Sequence, residues 1–261
     1  MNKETKEKLA CSLTAETTEL LPFLPYLLQD LWELGSNPRD MVRLIRKHVP
    51  MPDIDRIKIG DIASGKGAVA INIAESLGVK VRGFDLIPDF VEYSRQKAKE
   101  LNVDSLCCFT VADANEIVNT EIDYDCVIFG AAGNVLGSPQ ETLRKLRGTV
   151  KPGGFILIDE SYLPDGLSSG EVKYQNYEYL THNQWVRLFE DSGLKIVEEV
   201  SHTEEYNFDS DNKAIAARAE ELATKLPEKR AIFEGYVQSQ LNECDDLENS
   251  LTSVTWMLQR V

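Results

Sequence analysis

Hydrophobic positions change period near residue 56. Upstream, Leu27, Leu28, Leu31, Trp32 and Leu34 recur at helical spacing and stop at Gly35. Asn37-Pro38 then opens a short helix over 40–48, which Pro50 and Pro52 close. Residues 1–55 therefore read as an N-terminal helical extension. Downstream, short apolar runs predict strands over 56–62, 79–85, 106–112, 124–130 and 154–160. Amphipathic stretches between them predict helices over 68–77, 89–101 and 139–147. A helix over 181–192, with Trp185, Leu188 and Phe189 on one face, precedes a strand over 194–200. A helical stretch over 210–249, broken near Pro227, precedes a closing strand over 251–261.

Strands alternating with helices of this length imply a parallel sheet with right-handed crossovers, an α/β doubly wound fold. The chain is read as one such domain over 56–261, carrying 210–249 as a helical insert. The stretch 161–177 is long enough to be a functional loop rather than a plain connection. With 43% hydrophobic residues in 261, one sizeable core is expected.

Charge narrows the partners. A formal net charge of −15 repels phosphate backbones, so nucleic acid is disfavoured and a small neutral or cationic substrate is expected. The five cysteines form no CxxC pair, and three lie in apolar runs, as ordinary buried thiols of a reducing compartment do. No metal site is read. The N-terminus lacks the basic-then-apolar order of a signal peptide. The apolar stretch 20–28 is interrupted by Pro22 and Pro25 and falls short of the about 20 residues a membrane span needs. A cytoplasmic monomer or homodimer with no membrane contact is the expectation.

Four strand ends carry candidate chemistry. In Ile59-Gly60-Asp61-Ile62-Ala63-Ser64-Gly65-Lys66-Gly67 an acidic residue ends a strand and small residues turn into a helix. Glycines there admit a ligand close to the backbone, the helix start presents unpaired N–H groups, and Asp61 can meet an ammonium. Asp85 ends the next strand, where a carboxylate can accept both hydroxyls of a ribose. Asp113 ends the third, where it can meet an adenine amino group or cap the helix that follows. Small residues after Gly130 leave space at the end of the fourth. All four lie on the carboxyl edge of the sheet, where open α/β folds bind ligands.

In this order the motifs resemble the class I S-adenosylmethionine-dependent methyltransferases, of the small-molecule type. The family pattern D-x-G-x-G-x-G is matched by Asp61, Gly65 and Gly67, with Ala63 at the first glycine. Gly83-Phe84-Asp85-Leu86 and Val150-Lys151-Pro152-Gly153-Gly154 are similar to two further family segments. The resemblance implies a Rossmann-like seven-stranded sheet of order 3-2-1-4-5-7-6. It implies that Asp61 with the backbone of Ala63, Gly65 and Gly67 holds the methionine part of S-adenosylmethionine. Asp85 would hold the ribose, Leu86 would pack on the adenine, Asp113 and Ala114 would meet its amino edge, and Gly130 would line the transfer site. The implied activity is in-line methyl transfer to a small acceptor, leaving S-adenosylhomocysteine. Because the sulfonium methyl is already activated, positioning and exclusion of water do most of the work.

Two other readings stand beside this one. Gly65-x-Gly67-x-x-Ala70 with Asp85 also fits a dinucleotide fingerprint, as in an NAD(P)-dependent oxidoreductase. Asp61 opposes it, because a carboxylate beside a pyrophosphate is electrostatically poor. A donor-binding module without catalysis is the other. Asn134, Glu160 and Tyr162 are the candidate catalytic residues, since they lie where strands four and five end. Tyr174, Tyr177, Tyr179 and His182 offer a cage for a cation, and Tyr26 and Trp32 offer a lid. His48 and His202 read as solvated. Gly235, inside a helical pattern, implies close packing there.

Overall fold

A computed structural model of the chain describes residues 1–201 and 208–261. His202 lies outside the described residues. Chain order begins with helices α1 (Lys3–Ser12), α2 (Leu24–Leu27) and α3 (Pro38–His48). The alternating part follows as β1 (Ile59–Ile62), α4 (Ala68–Leu77), β2 (Val81–Asp85), α5 (Pro88–Glu100) and β3 (Cys107–Val111). It continues through α6 (Ala114–Thr120), β4 (Tyr124–Gly130), α7 (Pro139–Thr149) and β5 (Val150–Tyr162). The last elements are α8 (His182–Asp191), β6 (Leu194–Ser201), α9 (Phe208–Lys225), α10 (Arg230–Asn249) and β7 (Thr252–Arg260).

The seven strands form one sheet in the expected order, β3-β2-β1-β4-β5-β7-β6. Strands β1 to β5 run parallel, and β7 lies antiparallel between β5 and β6. Side chains alternate across β4: Cys126 and Ile128 join the cluster under α3 and α4, while Val127 and Phe129 join the one under α7 and α8. That period-2 alternation, with every inner position apolar, marks a strand covered on both faces.

A third cluster unites the N-terminal extension with the insert. Leu20, Leu24, Leu27 and Leu28 pack with Ile215, Leu222, Phe233 and Tyr236, and with Ile87 and Phe90 at the start of α5. Polar contacts reinforce it: Arg218 forks onto Asp30 at 2.6 and 3.1 Å, and the Tyr26 hydroxyl donates to Glu221. Tyr26 therefore faces α9 and not the sheet edge.

Three expectations change. The helical spacing of Leu27 to Leu34 does not make one helix: α2 ends at Leu27, and Lys66 Nζ takes the carbonyls of Leu28 (3.0 Å), Gln29 (3.0 Å) and Leu31 instead. Gly235 has open space where a Cβ would stand, so close packing does not explain it. His48 is half-buried and bonded to Glu198. All five cysteines are free thiols, with Cys126 buried and Cys108 exposed. Among the described residues, no helix is long and apolar enough to cross a membrane.

Candidate functional site

The turn after β1 is where backbone geometry and chemistry meet. Ala63 has φ +58°, Gly65 φ +52° and Gly67 φ +76°, so three residues of this turn adopt the left-handed conformation. Alanine at 63 keeps the glycine-type turn at some steric cost, rather than building a different one. Gly65 lines the cleft, and Asp85 Oδ2 accepts its N–H at 2.8 Å. Gly67 does not line it. A Cβ there would meet Ser94 Oγ at 2.8 Å and Phe109 Cζ at 3.0 Å, so this glycine serves packing against α5 and β3.

The cleft opens along the carboxyl edge of β1, β2, β3 and β4, where open α/β folds bind ligands. Asp61, Ala63, Gly65, Asp85, Leu86, Asp113, Ala114 and Gly130 all line it, so eight of the nine expected donor residues converge. Trp32, Leu34 and Ser36 of the extension close one side, and Leu9, Ser12 and Leu13 from α1 and the turn after it close another.

Asp61 is 3% exposed, yet its Oδ2 has no hydrogen-bond partner. Burial pushes this carboxyl up to about 7, opposed by a hydrogen bond from the Ala70 N–H and aided by the charge of Asp85. Asp85 rises to about 6 through burial, opposed by hydrogen bonds from the backbone of Ile87, Gly65 and Leu86. Asp113 caps α6, accepting the Asn115 N–H at 2.8 Å, while still lining the cleft. Six buried side-chain polar atoms lack a partner among the described residues, and three of them, on Ser36, Asp61 and Ser64, line this one cleft. A buried polar group without a partner costs about 1–3 kcal/mol, so such clustering marks a ligand site.

Asn134, Glu160 and Tyr162 are not among the residues that line the cleft. Glu160 accepts from the Tyr177 hydroxyl, 2.9 and 3.1 Å from its two oxygens. Burial raises the Glu160 carboxyl to about 7, with Tyr177 opposing and Asp159 adding to the shift. Tyr177 also lies 3.7 Å from where a Gly133 Cβ would stand, beside Ser12 of the cleft wall. The Asn134 Oδ1 is buried without a partner. Tyr162 instead stacks on Trp256, with ring centroids 6.1 Å apart, and meets His182 edge-on at 5.0 Å.

The four-residue cage does not form. Tyr174 and Tyr179 are buried in their own small cluster, and His182 bonds Glu199 at 2.8 Å. Asp246 on α10 fixes the 161–177 loop by accepting the N–H groups of Lys173 (2.9 Å) and Tyr174 (2.7 Å).

Sequence reasoning gave no role to Lys66 or Ser36. Lys66 is 3% exposed; its ammonium holds three carbonyls of the extension and lies 4.1 Å from the Tyr93 ring centre. Its carbonyl accepts from Trp32 Nε1 at 3.2 Å. A lysine inside a glycine-rich turn was the only available signal, and it named no partner.

The chain belongs to the family described as "Methyltransferase domain", which matches residues 55–225. No curated protein matches the sequence. Among solved structures, a SAM-dependent methyltransferase from Thiobacillus denitrificans, crystallised with S-adenosyl-L-homocysteine, is similar at 20% identity with a TM-score of 0.72. The similarity covers 92% of this chain and 98% of that one. One from Geobacter sulfurreducens, also with S-adenosyl-L-homocysteine, aligns at 19% identity and TM-score 0.71, covering 90% and 97%. The [4+2]-cyclase SpnF aligns at 13% identity and TM-score 0.72, covering 98% and 96%. At these identities the likeness is one of fold.

Proposed function

We propose that this protein moves a methyl group from S-adenosylmethionine to a small-molecule acceptor. The observation that carries the reading is the partnerless Asp61 oxygen, buried in a cleft at the carboxyl edge of the sheet. A methionine ammonium is the cation that such a carboxylate fits. Asp85 holds the Gly65 turn with one oxygen and the Ile87 N–H with the other. Each oxygen retains a lone pair for a ribose hydroxyl. Leu86 offers an apolar face to the adenine, and Asp113 with Ala114 offers its amino edge a carboxylate and backbone. A pyrophosphate would meet Asp61 unfavourably, which weighs against a dinucleotide.

Bound S-adenosylmethionine supplies a methyl on a sulfonium, reactive without further activation. The chain's part is to position the acceptor and keep water out. The extension up to Ser36 and the insert 210–249 act together as the cap, supported by their shared apolar cluster, whereas α3 belongs to the core of the sheet. A cleft walled by the extension, on a chain of net charge −15, suits a small acceptor better than a nucleic acid. Glu160, held by the Tyr177 hydroxyl whose ring lies near Gly133, receives the acceptor's proton or holds a cationic amine, with Asn134 as the residue that follows Gly133. Tyr162 supports the strand that carries Glu160 through its stacking.

A second reading is favoured by one finding: SpnF, a protein of this fold, is a [4+2]-cyclase. On that reading the donor site persists and methyl transfer does not occur. Thermal unfolding with S-adenosylhomocysteine and, separately, with NAD tests the donor. S-adenosylhomocysteine at about 100 times its dissociation constant stabilises by about 2.7 kcal/mol, a shift of several degrees. A shift with NAD alone, or with neither, refutes the methyltransferase reading. Donor binding with no transfer from labelled S-adenosylmethionine across a panel of small amines, alcohols and thiols favours the second.

A further inference from the structure

The segment from Leu34 to Ser36 runs as a strap from the turn after β1 to the end of β4. At one end, Leu34 Cδ1 lies 3.3 Å from where a Gly65 Cβ would stand. At the other, Gly35 (φ +114°) has no room for a side chain, since its Cβ would come within 2.8 Å of Ala131 Cβ. Ser36 lies so close to Gly130 that a Cβ there would clash with its Oγ. Gly130 is therefore the seat of Ser36, which explains why β4 ends in glycine.

Both flanks hold the strap still. Trp32 Nε1 donates to Lys66 O at 3.2 Å, and Asn37 caps α3 by accepting the N–H groups of Arg39 (3.0 Å) and Asp40 (3.4 Å). The backbone that carries Ser36 is thus held on both sides before any ligand arrives. The Ser36 hydroxyl is also buried, without a partner, and part of the cleft wall. Desolvated and unsatisfied donors on a held backbone are what a preorganised binding site presents.

Which group it serves follows from charge. An amino-acid end brings an ammonium and a carboxylate together. Asp61 takes the ammonium and repels the carboxylate, which needs hydrogen-bond donors. The Lys66 ammonium is committed to three carbonyls. Ser64 Oγ lies against Gly83 of β2, on the ribose side of β1. Ser36 stands on the β4 side, where β4 pairs with β1 and Asp61 lies in register with Ile128. We infer that Ser36, on the N-terminal strap, donates a hydrogen bond to the carboxylate of the donor's methionine moiety and so positions the donor. This rests on the donor reading proposed above.

The test separates the amino-acid end of the ligand from its nucleoside. Calorimetry measures S-adenosylhomocysteine and 5′-methylthioadenosine, which lacks the amino-acid end, against wild type, Ser36→Ala and Asp61→Asn. The expected result for Ser36→Ala is an S-adenosylhomocysteine affinity lower by about ten-fold, the worth of one hydrogen bond to a charged group. Its 5′-methylthioadenosine affinity stays at the wild-type value. Asp61→Asn shows the same selective loss. Equal loss of both ligands in Ser36→Ala, or loss of neither, overturns the inference and leaves Ser36 a packing residue. If wild type binds neither ligand, the donor reading itself has failed, and the inference falls with it.

Discussion

The ammonium of Lys66 donates to the carbonyl oxygen of Leu28 at 3.0 Å, tying the turn after β1 to a segment 38 residues upstream. Gln29 and Leu31 share the same ammonium. Replacing Lys66 with Met leaves three carbonyls without their donor while preserving most of the side-chain volume. Loss of hydrogen bonds to one charged group predicts a destabilisation of about 2–3 kcal/mol. Urea unfolding measures it. Hydrogen exchange should quicken first in residues 28–36, because the strap loses its anchor before the sheet loses anything. Uniform quickening across the sheet would contradict a local anchoring role.

The pH dependence of donor binding follows from Asp61. Burial raises its carboxyl from 3.8 to about 7, so the ligand-free folded chain holds a proton that the unfolded chain releases. Stability from this group is present below about pH 4 and is lost as pH rises through about 7. Asp85, raised to about 6, acts in the same direction. The donor's ammonium needs the ionised form. Affinity for S-adenosylhomocysteine should therefore fall below pH 7, approaching about ten-fold per pH unit. Asp61→Asn should flatten the profile. Calorimetric titrations across this range decide it, and a flat wild-type profile with undiminished affinity in Asp61→Asn would show that Asp61 does not meet the ammonium.

Ala63 stands at φ +58°, where a Cβ is unfavourable by about 1–2 kcal/mol. Glycine removes that strain but adds about 0.5–1 kcal/mol of unfolded-chain entropy. Ala63→Gly is thus predicted to be neutral or stabilising by up to about 1.5 kcal/mol. A clear loss of stability in urea would mean that the alanine methyl supplies packing that outweighs the strain.

Contiguity decided what the sequence made readable. Asp61, Gly65, Asp85 and Asp113 each sit at the end of an apolar run, so their shared edge follows from the alternation of strands and helices alone. The order of β6 and β7 came through resemblance, because no local signal states which strand inserts between two others. Ser36 and Lys66 were opaque because their roles depend on partners far along the chain. Leu27 to Leu34 has the right period for a helix, yet the Lys66 ammonium draws out carbonyls that a helix would have used. Tyr162 and Glu160 share a strand face, and only the tertiary arrangement gives Glu160 to Tyr177 and Tyr162 to Trp256.

Gly235 costs α10 helix stability with no packing return, since nothing lies within 4 Å of the position a Cβ would take. Gly235→Ala should stabilise the chain by about 0.8–1 kcal/mol, the difference in helix propensity. Because α10 shares its apolar cluster with the extension, the gain should also appear as slower hydrogen exchange in α2.

Glu160 and Tyr177 supply the sharpest test on the acceptor side. Glu160→Gln keeps the shape and the Tyr177 contact but cannot take a proton, and Tyr177→Phe removes the hydroxyl that holds Glu160 in place. With labelled S-adenosylmethionine and an acceptor that the wild type methylates, Glu160→Gln should lower kcat by on the order of 100-fold, the usual worth of a general base. S-adenosylhomocysteine affinity should not change in either variant, because neither residue lines the cleft. In Tyr177→Phe the apparent pKa of the rate profile should move up from about 7, since the lost hydrogen bond had favoured the ionised carboxyl. A Glu160→Gln enzyme with full kcat would remove Glu160 from the chemistry and return it to a structural partner of the 161–177 loop.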